Sequence, residues 1–436
     1  MPYKILVVED DPTIQRELVT LLQAEGYEAA AVVDFSTTLS QVNTVQPHLI
    51  LLDIKLPGQS GFSLHDALPI FVLDHGKGVK VWDKDGNEYI DMFAGIAVNA
   101  LGHAHPKLVN ALQGQVEKLI HVSNIYYNEP AIEYAKKLLP LTEFDRLFYA
   151  NSGAEANEGA IKLALKYTGK SEIITAKDSF HGRTLLTLAA TGHEEYREPY
   201  LKNLPQGFIE VPYNDIEAIK EAISDETAAI MLEPIQGEGG VNVPSKKYFD
   251  EIAEICAEKD ILLILDEVQT GFGRCGTLFA HELFDIKADI MTIAKGVGGG
   301  VPMGAFLATE KVAGGFAPGD HGTTFGGGPL VCAAANAVLD TILDEDLLEN
   351  SKKVGAYFKD KLNELKEKHD KIVDVRGHGL MIGVELSESG AGYVDKLREM
   401  GFLINCTAGN VLRFVPPLII TNEEIDKFVE ALDKAL

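Results

Sequence analysis

Residues 261–274 read ILLILDEVQTGFGR, and residues 288–300 read ADIMTIAKGVGGG. In the first stretch an apolar run ends on Asp266. In the second, a shorter apolar run ends just before Lys295. Runs this short and this rich in Ile and Leu read as buried strands of a parallel sheet. They put an acid at the C-terminal end of one strand and a lysine just beyond another. That pairing is what pyridoxal-phosphate chemistry needs. The lysine holds the cofactor as a Schiff base, and the aspartate keeps its pyridine nitrogen protonated so that the ring accepts electrons.

The flanking sequence fits such a sheet. LFYA (147–150), EIITA (172–176) and AIMLEP (229–234) are further short apolar strands, and helical segments such as EANEGAIKLALKYTG (155–169) separate them. Strands and helices in alternation predict an α/β domain with a mostly parallel central sheet, placed at 107–342. The tail, 343–436, mixes amphipathic helices with strands such as LMIGVEL and LRFVPPL and reads as a smaller α+β domain. Residues 71–106 complete it: GKGVKVWDKDGNEYIDM (76–92) alternates about an Asp85-Gly86 turn as a hairpin.

The first 63 residues are of another kind. KILVVEDD (4–11) is a β-branched strand running into acids, TIQRELVTLLQAEGY (13–27) has helical spacing with Gly26 as its stop, and LILLD (49–53) is a second strand ending on Asp53. Acids gathered at strand ends can hold Mg²⁺ and take up a phosphoryl group. This segment resembles the response-regulator receiver domain. The resemblance implies that Glu9 and Asp10 are metal-binding acids and Asp53 a phosphoacceptor. It stops at Phe62, before the later strands of a receiver, so 1–63 reads as a truncated receiver-like β/α fragment. Residues 64–70 read as a junction, being neither Gly/Ser-rich nor proline-rich. A gene fusion or a sequence-assembly chimera accounts for the break.

Of the 436 residues, 46% are hydrophobic and 24% charged, as in an ordinary soluble protein, and the length favours two or three domains. A formal net charge of −26 argues against nucleic acid or an anionic membrane as partner. Cys256, Cys275, Cys332 and Cys406 are scattered without CxxC spacing, which suits a reducing cytoplasm. No apolar run approaches the roughly 20 residues of a membrane span. His103 and His105 in GHAHP have no third ligand at a sensible spacing, so no metal site is expected there.

Other segments offer partners for Lys295. In ANSGAEANEGA (150–160), Ser152, Gly153 and Ala154 stand between a strand and a helix, where backbone N–H groups and the helix N-terminus suit a phosphate. A tight strand-to-helix turn of no chemical consequence reads the same way. In SFHGRTL (179–185), Phe180 suits stacking on a flat ring and Arg183 a bidentate grip on a carboxylate. Elsewhere such a pair is a core ring and a surface charge. EPIQGEGG and LRFVPPL supply Glu238 and Arg413, an arginine with a removable counter-ion. HGTTFGGGP (321–329) supplies Thr323 and Thr324, either a flexible loop or part of a phosphate site shared between subunits.

Over 71–436 these segments together resemble the class-III aminotransferases. The most specific are LLILDEVQTGFGR, AKGVGGGVPMGA, NSGAEANE and SFHGRT. The resemblance implies the fold-type-I architecture of pyridoxal-phosphate-dependent transferases and a homodimer with sites at the subunit interface. It implies that Lys295 carries the cofactor and moves a proton, that Asp266 pairs with the pyridinium, and that Gln269 lies near the phenolic oxygen, within a cofactor-binding stretch that includes Glu267 and Val268. Phe180 stacks on the ring, and Ser152, Gly153 and Ala154 hold the phosphate. Thr324 reaches the phosphate of the neighbouring subunit, with Thr323 beside the substrate. DMFAGIAVNALGHAHP and HVSNIYYNEP are closest to the branch acting on N-acetylornithine with 2-oxoglutarate, in arginine biosynthesis. Arg183 then binds the acetylornithine carboxylate, and Arg413, released from Glu238, receives that of glutamate. Ornithine, succinyl-diaminopimelate and 4-aminobutyrate are the alternative amino donors. The chain departs from the family at Gly328, where asparagine is common, and at Cys275, where threonine is common. The receiver fragment also stands in place of the family's N-terminal helix. A phosphorylation-controlled regulator is the competing reading, and a fold that has lost its activity is the third.

Overall fold

The branched apolar runs form the centre of a seven-stranded sheet. In spatial order its strands are Phe208–Val211, Glu172–Ala176, Thr227–Leu232, Leu262–Asp266, Ile290–Ile293, Gly304–Ala308 and Arg146–Ala150. The first five are mutually parallel. Gly304–Ala308 runs antiparallel to both of its neighbours. Every residue of Thr227–Leu232, Leu262–Asp266 and Ile290–Ile293 is buried, as expected for strands covered on both faces. This is the structure of a computed structural model, which describes residues 3–9, 11–32, 38–45, 47–52, 55–56, 59–60 and 72–436. Asp10, Asp53 and the junction 64–70 lie outside the described residues.

Two of these strands escape the reading of the sequence. Phe208–Val211 is a four-residue edge strand. Gly304–Ala308 follows Ile293 after a connection too short for the dozen or more residues that a parallel crossover needs, so it has to return antiparallel. That short return is the lysine segment itself. Helix Gly153–Thr168 packs so closely on this strand that a methyl group on Gly159 would run into the Phe306 ring.

The chain divides into two compact units, Met1–Leu73 and Asp74–Leu436. In the first, Lys4–Val8 lies between Glu28–Ala31 and Leu49–Leu52, all parallel. Leu6, Val8 and Val32 form a small buried cluster. Helix Pro12–Ala24 begins at Asp11, whose carboxylate accepts from Thr13 N (2.7 Å) and Ile14 N (3.2 Å).

In the second unit, the tail forms an antiparallel sheet of Ile372–His378, Met381–Leu386, Val411–Phe414 and Asn405–Thr407. Phe402–Leu403 adds in parallel to Glu88–Asp91 of the early hairpin, which ties the two ends of this unit together. Phe358, Phe402, Phe414 and Phe428 pack ring against ring beneath these sheets. His103 pairs with Asp91 (2.8 Å) and His105 with Glu345 (3.6 Å). Among the described residues, no helix is long and apolar enough to cross a membrane.

The close approach at Gly159 is testable. Gly159→Ala should destabilise the protein by about 1–3 kcal/mol, the usual result of overpacking, read as a lower midpoint in urea unfolding. A midpoint equal to that of the wild type would mean that the helix has room to shift.

Candidate active site

Asp266 ends the strand Leu262–Asp266, and Lys295 follows the neighbouring strand Ile290–Ile293, so sheet geometry alone brings them to one edge. Lys295 has φ 47°, the left-handed region that a non-glycine residue adopts at a cost. The turn beside it is also unusual: Ala94, Gly95, Ile96 and Ala97 all have positive φ, and they lead into Val98 on the cavity wall.

The cavity is about 400 Å³. Ser152, Gly153, Ala154, Phe180, Arg183, Asp266, Val268, Gln269 and Lys295, all named from the sequence, line it. Ser152 caps the helix Gly153–Thr168, its hydroxyl accepting from Glu155 N (3.2 Å). The first N–H groups of that helix have no acceptor within the helix, and they sit at the cavity wall beside Gly153 and Ala154. A side chain on Gly153 would strike Val268 at 2.8 Å, so the helix end is seated directly on the loop that follows Asp266.

Asp266 is 2% exposed, and a carboxylate so buried needs partners. Its Oδ2 accepts from Asn157 Nδ2 and His181 Nδ1, both at 2.8 Å, and its Oδ1 from Val268 N at 3.0 Å. Asn157 Nδ2 also donates to the His181 carbonyl (2.7 Å), which locks the three together. Burial drives the Lys295 amine down to about 8. Arg413 pushes the same way, against the opposing pull of Glu238 and Asp266.

Arg413 is fully buried. Its Nη1 donates to Glu238 Oε1 (2.6 Å) and Gln269 Oε1 (2.9 Å), and its Nε to Asn405 Oδ1 (3.2 Å). Its Nη2 has no hydrogen-bond partner among the described residues. Burial works against the charge on Glu238, but Arg413 outweighs it and holds the carboxylate below its ordinary value. Arg183 is exposed at the rim, its guanidinium 3.5 Å from the Tyr196 ring centre and 5.4 Å from that of Phe180.

One expected residue is placed differently. Glu267 turns away from the cavity: Oε1 accepts from His281 N (2.7 Å) and Nδ1 (3.0 Å), and Oε2 from Ala280 N (3.0 Å) and the Thr270 hydroxyl. Alternation along an extended chain sends Asp266 and Glu267 to opposite sides. Thr323, Thr324, Glu238 and Arg413 are not among the residues lining this chain's own cavity, and the expected place of Thr324 is at the neighbouring subunit's phosphate. Thr323 Oγ1 accepts from Asn151 Nδ2 (3.2 Å), and Thr324 is exposed.

Asn157, His181, Tyr196 and Glu233 were not singled out from the sequence. For Asn157 a signal existed, since it lies four residues after Gly153 on the same helix face. For Glu233 the signal was the one that marks Asp266, an acid at the end of a buried strand. His181 and Tyr196 carry no such mark.

Residues 63–436 match the model of the Aminotransferase class-III family, and residues 5–70 that of the Response regulator receiver domain. The chain belongs to the class-III aminotransferases. Within that family it is 58% identical over 361 residues to the acetylornithine aminotransferase of Methanothermobacter thermautotrophicus, covering 83% of this chain and 92% of the relative. It is 52% identical over 389 residues to that of Methanocaldococcus jannaschii, covering 87% and 97%. Among solved structures, the ornithine aminotransferase of Toxoplasma gondii ME49 superposes with a TM-score of 0.82 at 34% identity, covering 86% of this chain and 94% of that one. The acetylornithine aminotransferase of Elizabethkingia anophelis gives 0.76 at 37%, covering 86% and 97%.

Behind Asp266, His281 lies between Glu267 (3.0 Å) and Glu143 (3.4 Å). Burial alone would pull its pKa down, but the two carboxylates outweigh burial and hold it at about 10. A folded value above the unfolded one of about 6.5 gives stability that is complete below that pH and is lost as pH rises through about 10. His281→Gln should therefore cost about 3–5 kcal/mol near pH 6, with a much smaller deficit near pH 10, measured by urea unfolding at each pH. An equal deficit at both would show that the imidazole is neutral.

Proposed function

We propose that this aminotransferase uses pyridoxal 5'-phosphate to move the amino group of N-acetylornithine to 2-oxoglutarate, giving N-acetylglutamate semialdehyde and glutamate. The names of its relatives at 47–58% identity support this choice of substrate. The observation that carries the reading is the buried Arg413, whose Nη2 has no hydrogen-bond partner among the described residues and whose Nη1 holds a displaceable carboxylate.

The residues present fit the cofactor. Asp266, its carboxylate held by three donors, suits a pyridinium nitrogen. The helix N-terminus at Gly153 and Ala154 suits a phosphate, Phe180 a ring face, and the Lys295 amine, lowered to about 8, covalent attachment. When bound, the cofactor supplies an electron sink for the bond cleaved at the amino-bearing carbon.

Once the amino group of the substrate has displaced it from the cofactor, Lys295 Nζ would be a free amine placed to take the proton from that carbon and give it back. Its low pKa keeps enough free amine to act as base near neutrality. Arg183, at the rim and with no carboxylate in ion-pair contact among the described residues, binds the carboxylate of the amino donor. With Glu238 seated on Arg413, that pair is neutral and suits a donor that brings no carboxylate to this position. When Glu238 leaves, Arg413 offers Nη1 and Nη2 as a fork for the α-carboxylate of glutamate or 2-oxoglutarate.

The protein acts as a cytoplasmic homodimer in arginine biosynthesis. Ile125, Tyr126, Tyr127 and Phe325 expose large apolar surface near the Thr323–Thr324 loop, which supports a subunit interface there. The dimer then brings Thr324 to the partner's phosphate.

Lys295→Ala should lose covalent cofactor, read by mass spectrometry after borohydride reduction, and at least about a thousandfold in turnover. A protein-linked cofactor persisting in that variant would mean that another lysine carries it. Arg413→Ala should raise KM for 2-oxoglutarate about a hundredfold, as for a lost bidentate pair, while KM for N-acetylornithine stays within about threefold. Equal losses for both substrates would remove the basis for a shared carboxylate site.

A further inference from the structure

Glu233 lines the cavity, is 5% exposed, and has no part in the steps above. It follows the strand Thr227–Leu232, and the Tyr213 hydroxyl donates to its carbonyl (2.8 Å), which fixes its backbone. Each carboxylate oxygen serves a different loop. Oε2 accepts from Phe180 N at 3.0 Å, and Oε1 from Gly237 N at 3.2 Å. The first loop carries the stacking ring. The second leads straight into Glu238, the counter-ion of Arg413. A Cβ on Gly237 would collide with Gln269, so this loop is packed against the residue that also binds Arg413.

We propose that Glu233 is a positioning residue that ties the Phe180 loop to the Glu238 loop, so that seating of the flat ring and selection between substrates are set by one carboxylate. The inference rests on the reading of Glu238 and Arg413 as a shared carboxylate site. The far side of the Glu238 loop has separate supports in the C-terminal lobe. The Thr407 hydroxyl donates to the Glu238 carbonyl, and Arg376 Nε to the Gly240 carbonyl at 3.0 Å. Thr407 therefore acts on the second loop alone, while Glu233 acts on both.

The charge on Glu233 matters to this link. Burial raises the carboxyl to about 7, Asp266 adds to the rise, and His181 and the two N–H donors oppose it. Lys295 faces the same site. A protonated carboxyl has one good acceptor oxygen fewer, so acidification through about 7 loosens one tie.

The experiment uses full-length protein loaded with pyridoxal phosphate, as wild type, Glu233→Gln, Glu233→Asp and Thr407→Val. Ring seating is read by visible circular dichroism of the bound cofactor and by its rate of loss on dialysis. Substrate selection is read as KM for 2-oxoglutarate against KM for N-acetylornithine. Glu233→Gln keeps the shape but has one acceptor oxygen. It should speed cofactor loss and raise KM for 2-oxoglutarate, each about tenfold, and raise KM for N-acetylornithine by a smaller factor, since Arg183 lies on the Phe180 loop. Thr407→Val should raise KM for 2-oxoglutarate without altering the dichroism. In wild type both readouts should drift together as pH falls through about 7, and in Glu233→Gln neither should. Glu233→Asp keeps the charge but is one methylene short, and should recover at most one of the two.

Three outcomes overturn the inference: Glu233→Gln changing only the melting temperature, Glu233→Gln changing one readout without the other, or Thr407→Val changing both. A failed fold in Glu233→Gln leaves Glu233→Asp and the wild-type pH profile to decide. Wild-type protein that neither binds the cofactor nor converts the two substrates would sink the proposed function instead.

Discussion

Much of the site depends on satisfying a carboxylate that is held out of water. Asp266 is 2% exposed at the end of the most buried part of the sheet, where an unpartnered charge would be untenable. Two side chains and a backbone N–H share it, and one of those side chains, Asn157, also fixes the carbonyl of the other. The helix that brings Asn157 starts at Ser152 and so sets the phosphate end as well. His181 stands next to Phe180, so the same contact places the ring-facing loop. A single solvation requirement thereby coordinates three separate stretches of chain.

The carboxylate after it serves the outward side. Glu267 spends both oxygens on residues 270 and 280–281, which anchors the loop leading from Asp266 to Gln269. Gln269 in turn meets Arg413, which belongs to the C-terminal sheet. Arg274, buried in the same stretch, donates to the carbonyls of Leu380 and Pro416 from that lobe. Segment 261–274 thus joins the two sheets as well as carrying part of the chemistry. The Lys295 turn leans on the same region, since a Cβ added to Gly296 would lie 3.2 Å from the Cβ of Phe272.

The sequence made much of this legible. Apolar runs marked the inner strands because a parallel sheet covered on both faces tolerates little else. Asp266 and Lys295 were visible because a charge at the end of such a run has few innocent explanations. Gly304–Ala308 was hidden, being small and glycine-led, and its direction follows only from the shortness of the return. Glu267 was misplaced because its neighbours in sequence are site residues, whereas its direction is decided by backbone alternation. His181 stayed unassigned because a histidine in a loop gives no sign of which buried acid it will meet.

What the sequence determined by itself was the class of chemistry: a lysine and an aspartate at strand ends, a small-residue turn before a helix, and a pair of arginines. These are local signals, set by residue type and spacing along one stretch of chain. Tertiary structure decided which partners make them work. Asn157 and His181 reach Asp266 across 109 and 85 residues, and Glu238 reaches Arg413 across 175. Such pairings depend on sheet order and lobe packing, and no local pattern encodes them. Burial then set the charge states, lowering the Lys295 amine to about 8 and raising the Glu233 carboxyl to about 7, because desolvation is a property of the folded surroundings and not of the residue.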